Sequence, residues 1–293
     1  MHISRVQPQV RRFYDGGTFD SPPHPDCEPR IVLERLTEDD AETFALERRI
    51  GYADRELAEL LVPAGPEFRT DLTSVPWLFT WLVPKTGAHL PAALLHDGLV
   101  GGHDDPASYV STEGHVVTRD VADRVFRDAM ADTGTGVVRR WLVWAAVATA
   151  TMFVGSEAWS RGQLWRHRLA AGSTVAVILG LGAVATLDLF DLGPLTLPWM
   201  GERSLLTELV GGLAGAVALP VLISLAWGRF RMAGAILGVL LAVLLHVSVA
   251  LLLLTGLYQA VEWAAKAAPA AAMVVAASVV TLSLVVLALY AWG

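Results

Sequence analysis

The sequence contains one cysteine, Cys27, among its 293 residues, and this scarcity limits the chemistry that the chain can carry. A single thiol cannot form an intrachain disulfide, and it argues against a zinc site built on thiolates. Basic residues are also scarce. The chain has 22 Lys and Arg residues and 29 Asp and Glu residues. The acidic N-terminal half has no basic stripe, so we do not expect nucleic acid as a partner.

The first residues lack the apolar run that follows the basic residues of a secretory signal peptide. Residues 1–30 are rich in Pro, Gly and Asp, which predicts a flexible leader. Charged residues become rare beyond residue 160, and the chain as a whole is 54% hydrophobic. This division predicts a soluble N-terminal part and a membrane-embedded C-terminal part.

Four apolar stretches are each long enough to cross a bilayer, which takes about 20 residues. They cover residues 169–190, 205–227, 232–260 and 269–292. The short link "GRFR" between the second and third stretches predicts that these spans are antiparallel neighbours. We therefore expect an all-α, four-helix transmembrane bundle over 169–293, with the lipid bilayer as its partner and a basic linker over 159–168 before it.

The Lys and Arg residues of the loops indicate which side of the membrane each loop faces. One side carries Arg161, Arg166, Arg168, Arg229 and Arg231, whereas the other carries Arg203 and Lys266. Because cytoplasmic loops carry the excess of positive charge, this distribution predicts a cytoplasmic N-terminal domain and a cytoplasmic C-terminus.

Residues 141–155 form a fifth apolar stretch, "WLVWAAVATATMFVG". At about 1.5 Å per residue, a helix of this length falls short of a hydrocarbon core about 30 Å thick. We interpret it as the last helix of the N-terminal domain, packed on that domain or on the membrane surface. If it spanned the membrane, the N-terminal domain would lie outside, against the distribution of loop charges.

Few polar groups interrupt the predicted spans. His246 lies near the middle of the third span, where an imidazole is either functional or, as we favour, a neutral ring bonded to a Ser or Thr of a neighbouring helix. Gly211 and Gly215 form a small-xxx-small pair. Such a pair favours close helix packing, either within a compact bundle or in a homo-oligomer.

The N-terminal half predicts strands first and helices afterwards. Alternating apolar residues favour a half-buried strand at 42–52, with further strands at 57–65 and 31–36. From Ser74 onward the pattern becomes helical, and Thr118 is placed to cap the last amphipathic helix. We therefore expect a small α+β domain over residues 31–158.

One apolar helix pattern, "HLPAALLHDGLV" at residues 89–100, ends in an adjacent imidazole and carboxylate, His96 and Asp97. It is preceded by "VPAGPEFRTDLTSVP" and followed by "ADRVFRDAM". In this order the three motifs resemble a bacterial and bacteriophage family of domains of unknown function, number thirteen-fifty-three. The resemblance covers residues 42–155 and excludes the apolar spans. This sequence departs from the family pattern in a longer V-P-A-G-F element and in Gly98 and Leu99, where the family often has an aromatic residue.

The resemblance implies a phage-related domain, which the apolar spans would attach to a bacterial inner membrane. The polar residues that match the family motifs are Thr70, Asp71, Ser74, His96, Asp97 and Asp123.

Two chemical interpretations of the matched residues stay open. In the first, four of them bind a divalent metal such as Zn²⁺ or Mn²⁺, whose bound water supplies hydroxide for hydrolysis. These four ligands are Asp71, His96, Asp97 and Asp123. In the second, His96 is a general base oriented by Asp71 or Asp123, with Ser74 as nucleophile, although no G-x-S-x-G elbow surrounds Ser74.

A metal site of the H…HD…D type is disfavoured, because His89 lies two helical turns before His96, about 10 Å along the axis. A purely structural interpretation also accounts for the matched residues. In it Asp71 caps the helix near Ser74, Asp97 bonds the glycine turn, His96 is buried, and Asp123 pairs with Arg127.

For the function we expect an uncharacterised protein anchored in the inner membrane, whose cytoplasmic domain is a metal-dependent hydrolase. A first alternative is a non-catalytic, phage-derived module that binds an unknown protein or small molecule at the membrane. A second alternative is a membrane effector whose spans form a pore under the control of the soluble domain.

Overall fold

A computed structural model describes residues 12–38, 41–72, 86–101, 106–190, 192, 197–199, 205–268, 273–274, 277–278 and 281. The strands in these residues are β1 Phe13–Asp15, β2 Leu33–Glu38, β3 Ala41–Leu46, β4 Ile50–Asp54, β5 Ala58–Val62, β6 Arg69–Thr70 and β7 Val110–Ser111. The α-helices are α1 Leu90–Val100, α2 Arg119–Asp132, α3 Val137–Val154, α4 Arg161–Leu189, α5 Leu205–Ser224, α6 Arg231–Val243 and α7 Leu245–Ala267. The predicted class, an α+β domain followed by apolar helices, is confirmed.

The strands form two antiparallel sheets. The first has the order β1-β4-β5-β7 and the second has the order β2-β3-β6. In the first sheet Ile50 pairs with Val62 and Tyr52 with Leu60, and all four side chains are fully buried. This face of the first sheet therefore supplies much of the core of the N-terminal domain.

The single strand predicted at 42–52 is wrong, because the chain changes sheets inside it. β3 pairs with β2, whereas β4 pairs with β1 and β5. At the crossover, the Arg49 backbone exchanges hydrogen bonds of 2.9 and 2.8 Å with Gly16 and Gly17. An alternating pattern continues across such a crossover, since it reports only which face is buried.

The flexible leader predicted over residues 1–30 is ordered from residue 12 onward, and residues 1–11 lie outside the described part. β1 pairs with β4, and all three of its residues are buried. The carboxylate of Asp15 accepts a hydrogen bond of 2.5 Å from Arg48 and one of 3.1 Å from the Gly17 amide. Its pKa is lowered because these bonds to Arg48 and Gly17 outweigh the opposing effect of burial.

α1 and α2 pack against the first sheet, and α3 packs against α2. α1 is apolar on nearly every side, and Leu94 and Leu95 are fully buried. α3 runs back along α2, so that the hydroxyl of Ser156, just after α3, donates to Asp120 at the start of α2 at 2.7 Å. The other side of α3 packs against α6. The apolar stretch predicted at 141–155 thus extends to an 18-residue helix that joins the domain to the apolar helices.

α5 and α6 form a helical hairpin whose turn contains Gly228, with φ 59° and ψ −119°. Their close approach depends on glycines of α6. A Cβ on Gly234 would collide with the Trp227 ring, and one on Gly238 would collide with Pro220. Gly215 of the predicted Gly211–Gly215 pair instead faces Trp199 of the same chain.

Residues 244–293 form a separate compact unit, of which α7 is the main described element. The third predicted span, 232–260, is not one helix, because the helical backbone is interrupted at Leu244 with φ −96° and ψ 14°. His246 therefore lies in the first turn of α7 and is exposed, not at the middle of a span. Most of the predicted fourth span, 269–292, lies outside the described residues.

Four helical stretches of the described chain are long and apolar enough to cross a membrane. They are Val137–Val154, Arg161–Leu189, Leu206–Val243 and Leu245–Ala267. Their number and composition indicate a membrane protein.

Candidate functional site

The histidine of the HD pair is bonded to a carboxylate of the next helix. The Nε2 atom of His96 lies 2.9 Å from Oδ1 of Asp123, and both residues are buried, at 8% and 1% exposure. The Phe126 ring, one turn after Asp123 on α2, packs 4.8 Å from the imidazole. Contacts with α2 therefore fix the orientation of the His96 ring.

The second carboxylate oxygen of Asp123 has an unusual environment. Oδ2 is buried and has no hydrogen-bond donor within the described part of the chain. A buried polar atom without a partner costs about 1–3 kcal/mol, so such atoms are rare in folded proteins. The burial of Oδ2 therefore destabilises the fold, and a purely structural role does not account for this carboxylate.

Asp97 faces a different neighbour. The hydroxyl of Thr70, at the end of β6, donates to Oδ2 of Asp97 at 2.5 Å, and the same hydroxyl accepts the Leu72 amide at 2.9 Å. Leu72 has φ 72°, a left-handed conformation that a leucine seldom adopts. Thr70 therefore both stabilises this turn and holds the Asp97 carboxyl.

The surroundings of Asp97 favour its protonated form. Burial raises the pKa of Asp97 to about 6, and the negative charge of Asp71 acts in the same direction. The hydrogen bond from Thr70 and the proximity of His96 oppose this rise without cancelling it. Asp97 can therefore exchange a proton close to neutral pH.

The packing around Gly98 explains why the residue after His96 and Asp97 has no side chain. A Cβ at this position would collide with Val62 of β5 and would lie 3.1 Å from the Ser108 carbonyl. The Ser108 amide also donates to the Gly98 carbonyl at 2.8 Å. An aromatic residue here would push α1 away from the first sheet.

The described residues do not contain a group of three or more His, Cys, Asp or Glu side chains arranged to hold a metal ion. Adjacent residues of a helix point about 100° apart, and accordingly His96 bonds α2 while Asp97 bonds β6. Asp71 is exposed, within electrostatic reach of Asp97. The four-residue metal site remains a prediction, and the predicted nucleophile Ser74 lies outside the described residues.

The structural interpretation predicted that Asp123 pairs with Arg127, and this prediction is wrong. Arg127 bonds Asp128 at 2.9 Å, and Asp123 bonds His96 instead. The bond from Thr70 to Asp97 was not predicted from the sequence, although Thr70 stands in the matched motif. A hydroxyl in a turn carries no pattern that distinguishes a bond to a distant carboxyl from a local one.

The comparison with known families confirms the predicted family over part of the chain. The sequence model of the family described as "Protein of unknown function (DUF1353)" matches residues 44–147. Residues 44–147 form a domain of this family. The match contains Thr70, Asp97 and the His96–Asp123 pair and ends within α3, so α4 to α7 lie beyond it. No curated protein and no solved structure matches the chain.

Proposed function

We propose that the DUF1353 domain is a hydrolase in which His96 acts as general base, attached to a membrane by the apolar helices. The observation that carries this proposal is the buried bond between His96 and Asp123. A neutral imidazole that donates its Nε2 proton to a carboxylate keeps Nδ1 unprotonated. This is the protonation state that a general base needs.

Asp97 supplies the complementary acid. With its pKa raised to about 6, a fraction of Asp97 carries a proton near neutral pH, unlike an ordinary aspartate. In the proposed step, His96 takes a proton from water as the water oxygen attacks an acyl or phosphoryl centre. The bond to the leaving group breaks, and Asp97 protonates that group.

The membrane attachment that we propose places the DUF1353 domain in the cytoplasm of a bacterial cell. Arg229, in the turn between α5 and α6, forms an ion pair of 2.9 Å with Asp120 of the domain. The domain and this turn therefore lie on the same side, together with Arg161 and Arg166 at the start of α4. This clustering of arginines supports the cytoplasmic side.

The test is hydrolysis by the full chain in mild detergent, with 4-nitrophenyl acetate and bis(4-nitrophenyl) phosphate as probes. His96→Gln should lower the rate about 10²- to 10⁴-fold because the base is lost. Asp123→Asn should cause a similar loss because the imidazole is no longer held in the productive tautomer. His115→Gln, at an exposed histidine of the same domain, is the matched control and should leave the rate unchanged.

A parallel assay with EDTA addresses the metal. Loss of activity in EDTA, restored by Zn²⁺ or Mn²⁺, would replace the metal-free mechanism by the metal site predicted from the sequence. If wild type and His96→Gln behave alike on both probes, the hydrolase proposal fails, and a non-catalytic binding domain remains.

A further inference from the structure

A cleft of about 250 Å³ opens between the start of α2, the end of α3 and the start of α4. The residues that line it include two arginines, Arg119 and Arg161. The apolar part of the lining includes Val154, Trp159 and Leu164. The cleft lies at the end of two helices that are long and apolar enough to cross a membrane.

We propose that this cleft binds the phosphate headgroup of an anionic membrane lipid. The guanidinium of Arg161 is exposed and forms no ion pair or hydrogen bond within the described part of the chain. An arginine fork matches the oxygens of a phosphate, to which it can donate two parallel hydrogen bonds. Arg161 therefore supplies the main phosphate contact.

The charge of the cleft favours an anion by a small margin. Arg119 and Arg161 oppose one carboxylate, that of Glu157, whose Oε2 lies 3.4 Å from the Arg119 amide. At the start of α4 a capping box already bonds two backbone amides, because Ser160 accepts the Gln163 amide and Gln163 accepts the Ser160 amide. Binding depends on the arginine side chains and is opposed by Glu157.

The apolar lining of the cleft favours a lipid over free phosphate. Val154 is 59% exposed at the end of α3 although it is apolar, and Leu164 faces the same cleft. Trp165, next to Leu164, is also 59% exposed, and tryptophan is enriched where a membrane meets water. A headgroup in the cleft would place its glycerol and the first acyl carbons against these side chains.

The apolar lining also touches the turn between α5 and α6, through Trp159. The Arg229 guanidinium lies 5.1 Å from the centre of the Trp159 ring while it pairs with Asp120. Trp159 thus lies between the cleft and the turn, which makes the cleft part of the junction between the DUF1353 domain and the apolar helices.

The experiment is lipid binding by the delipidated full chain in detergent, counted by native mass spectrometry. The probes are dihexanoyl phosphatidylglycerol, dihexanoyl phosphatidylcholine and inorganic phosphate. We expect phosphatidylglycerol to bind more tightly than the other two. Arg161→Gln should weaken its binding about fivefold, the usual contribution of one basic residue at a lipid surface. Glu157→Gln should strengthen binding by a similar factor, because it removes the opposing charge.

Two controls separate the lipid from its alternatives. Arg139→Gln removes an exposed arginine at the opposite end of α3 and should not change binding. Leu164→Ser should weaken binding of phosphatidylglycerol but not of inorganic phosphate. The proposal is overturned if Arg161→Gln behaves like Arg139→Gln. It is also overturned if inorganic phosphate binds as tightly as phosphatidylglycerol, since the cleft would then be a phosphate site without a lipid.

Discussion

Leucine side chains are mostly buried in the DUF1353 domain but mostly exposed in the apolar helices. Leu94 and Leu95 of α1 are fully buried, whereas Leu253 and Leu254 of α7 are 71% and 63% exposed. In the four helical stretches that are long and apolar enough to cross a membrane, the fraction of buried residues falls along the chain. It is 33% in α3 and then 17%, 11% and 0% in the stretches that follow. The domain therefore makes its own apolar interior, while the later helices need lipid to cover their side chains.

Polar interactions follow the same division. In the DUF1353 domain, Asp54 is 0% exposed at its side chain and pairs with Arg124 at 2.9 Å. The same carboxylate accepts the Glu56 and Leu57 amides, and these bonds together with Arg124 lower its pKa against the effect of burial. The ion pair described in α7, Lys266–Glu262, lies on an exposed surface near the helix end. Among the described residues of these two regions, the buried charge pair lies in the domain and the pair in α7 is exposed.

The largest effect should come from breaking this buried pair. Arg124→Ala leaves the Asp54 carboxylate buried without its cation, which typically costs 3–5 kcal/mol, roughly. Arg127→Ala removes another arginine of α2, about one turn after Arg124. Its ion pair with Asp128 is partly exposed, so its loss should lower the free energy of unfolding by about 1 kcal/mol. Pulse proteolysis of the full chain in detergent measures both. Equal losses would show that the Asp54–Arg124 pair contributes no more than a surface pair.

The second prediction compares exposed residues of the two regions. Leu254→Arg places a charge near the middle of α7 and should oppose membrane insertion by about 2.5–3.5 kcal/mol. Val116→Arg, at a residue 85% exposed on the DUF1353 domain, should change stability by less than about 0.5 kcal/mol. Insertion is measured in a Cys27→Ser background, with a cysteine introduced at residue 268 and a membrane-impermeant maleimide. If Leu254→Arg inserts normally, α7 is not surrounded by lipid.

Much of this division was predictable from the sequence. The family and the apolar helix that carries His96 and Asp97 were predicted from short patterns, although α1 continues to Val100 and does not end at this pair. Hydropathy also located the apolar helices, but it could not show the interruption at Leu244, because a break in helical geometry leaves the average unchanged. Likewise, the glycines that allow α5 and α6 to approach are Gly234 and Gly238, and only the packing partner distinguishes them from Gly211 and Gly215.

The candidate site was predictable as a set of residues but not as an arrangement. Motif order grouped Asp71, Ser74, His96, Asp97 and Asp123, of which the structure joins His96 to Asp123 by a hydrogen bond. It could not show that His96 and Asp97 face different elements, since that depends on how α1 is rotated against α2 and β6. Helix rotation is set by contacts such as Gly98 against Val62, which join residues far apart in the chain.

The smallest predicted effect concerns Asp97, whose partly buried carboxyl links stability to pH. Because its pKa is raised to about 6 in the folded state, protonation favours folding, and this contribution is lost as pH rises from about 4 through about 6. Asp97→Asn keeps an acceptor for Thr70 and cannot ionise. The variant should therefore be more stable than wild type above pH 7, by about 1–2 kcal/mol once solvent screening is allowed for, with the difference vanishing below pH 4. Urea unfolding of the full chain in detergent at several pH values measures this difference. Asp26→Asn, at an exposed carboxylate, is the control, and a pH-independent difference for Asp97→Asn would show that its surroundings do not disfavour the charge.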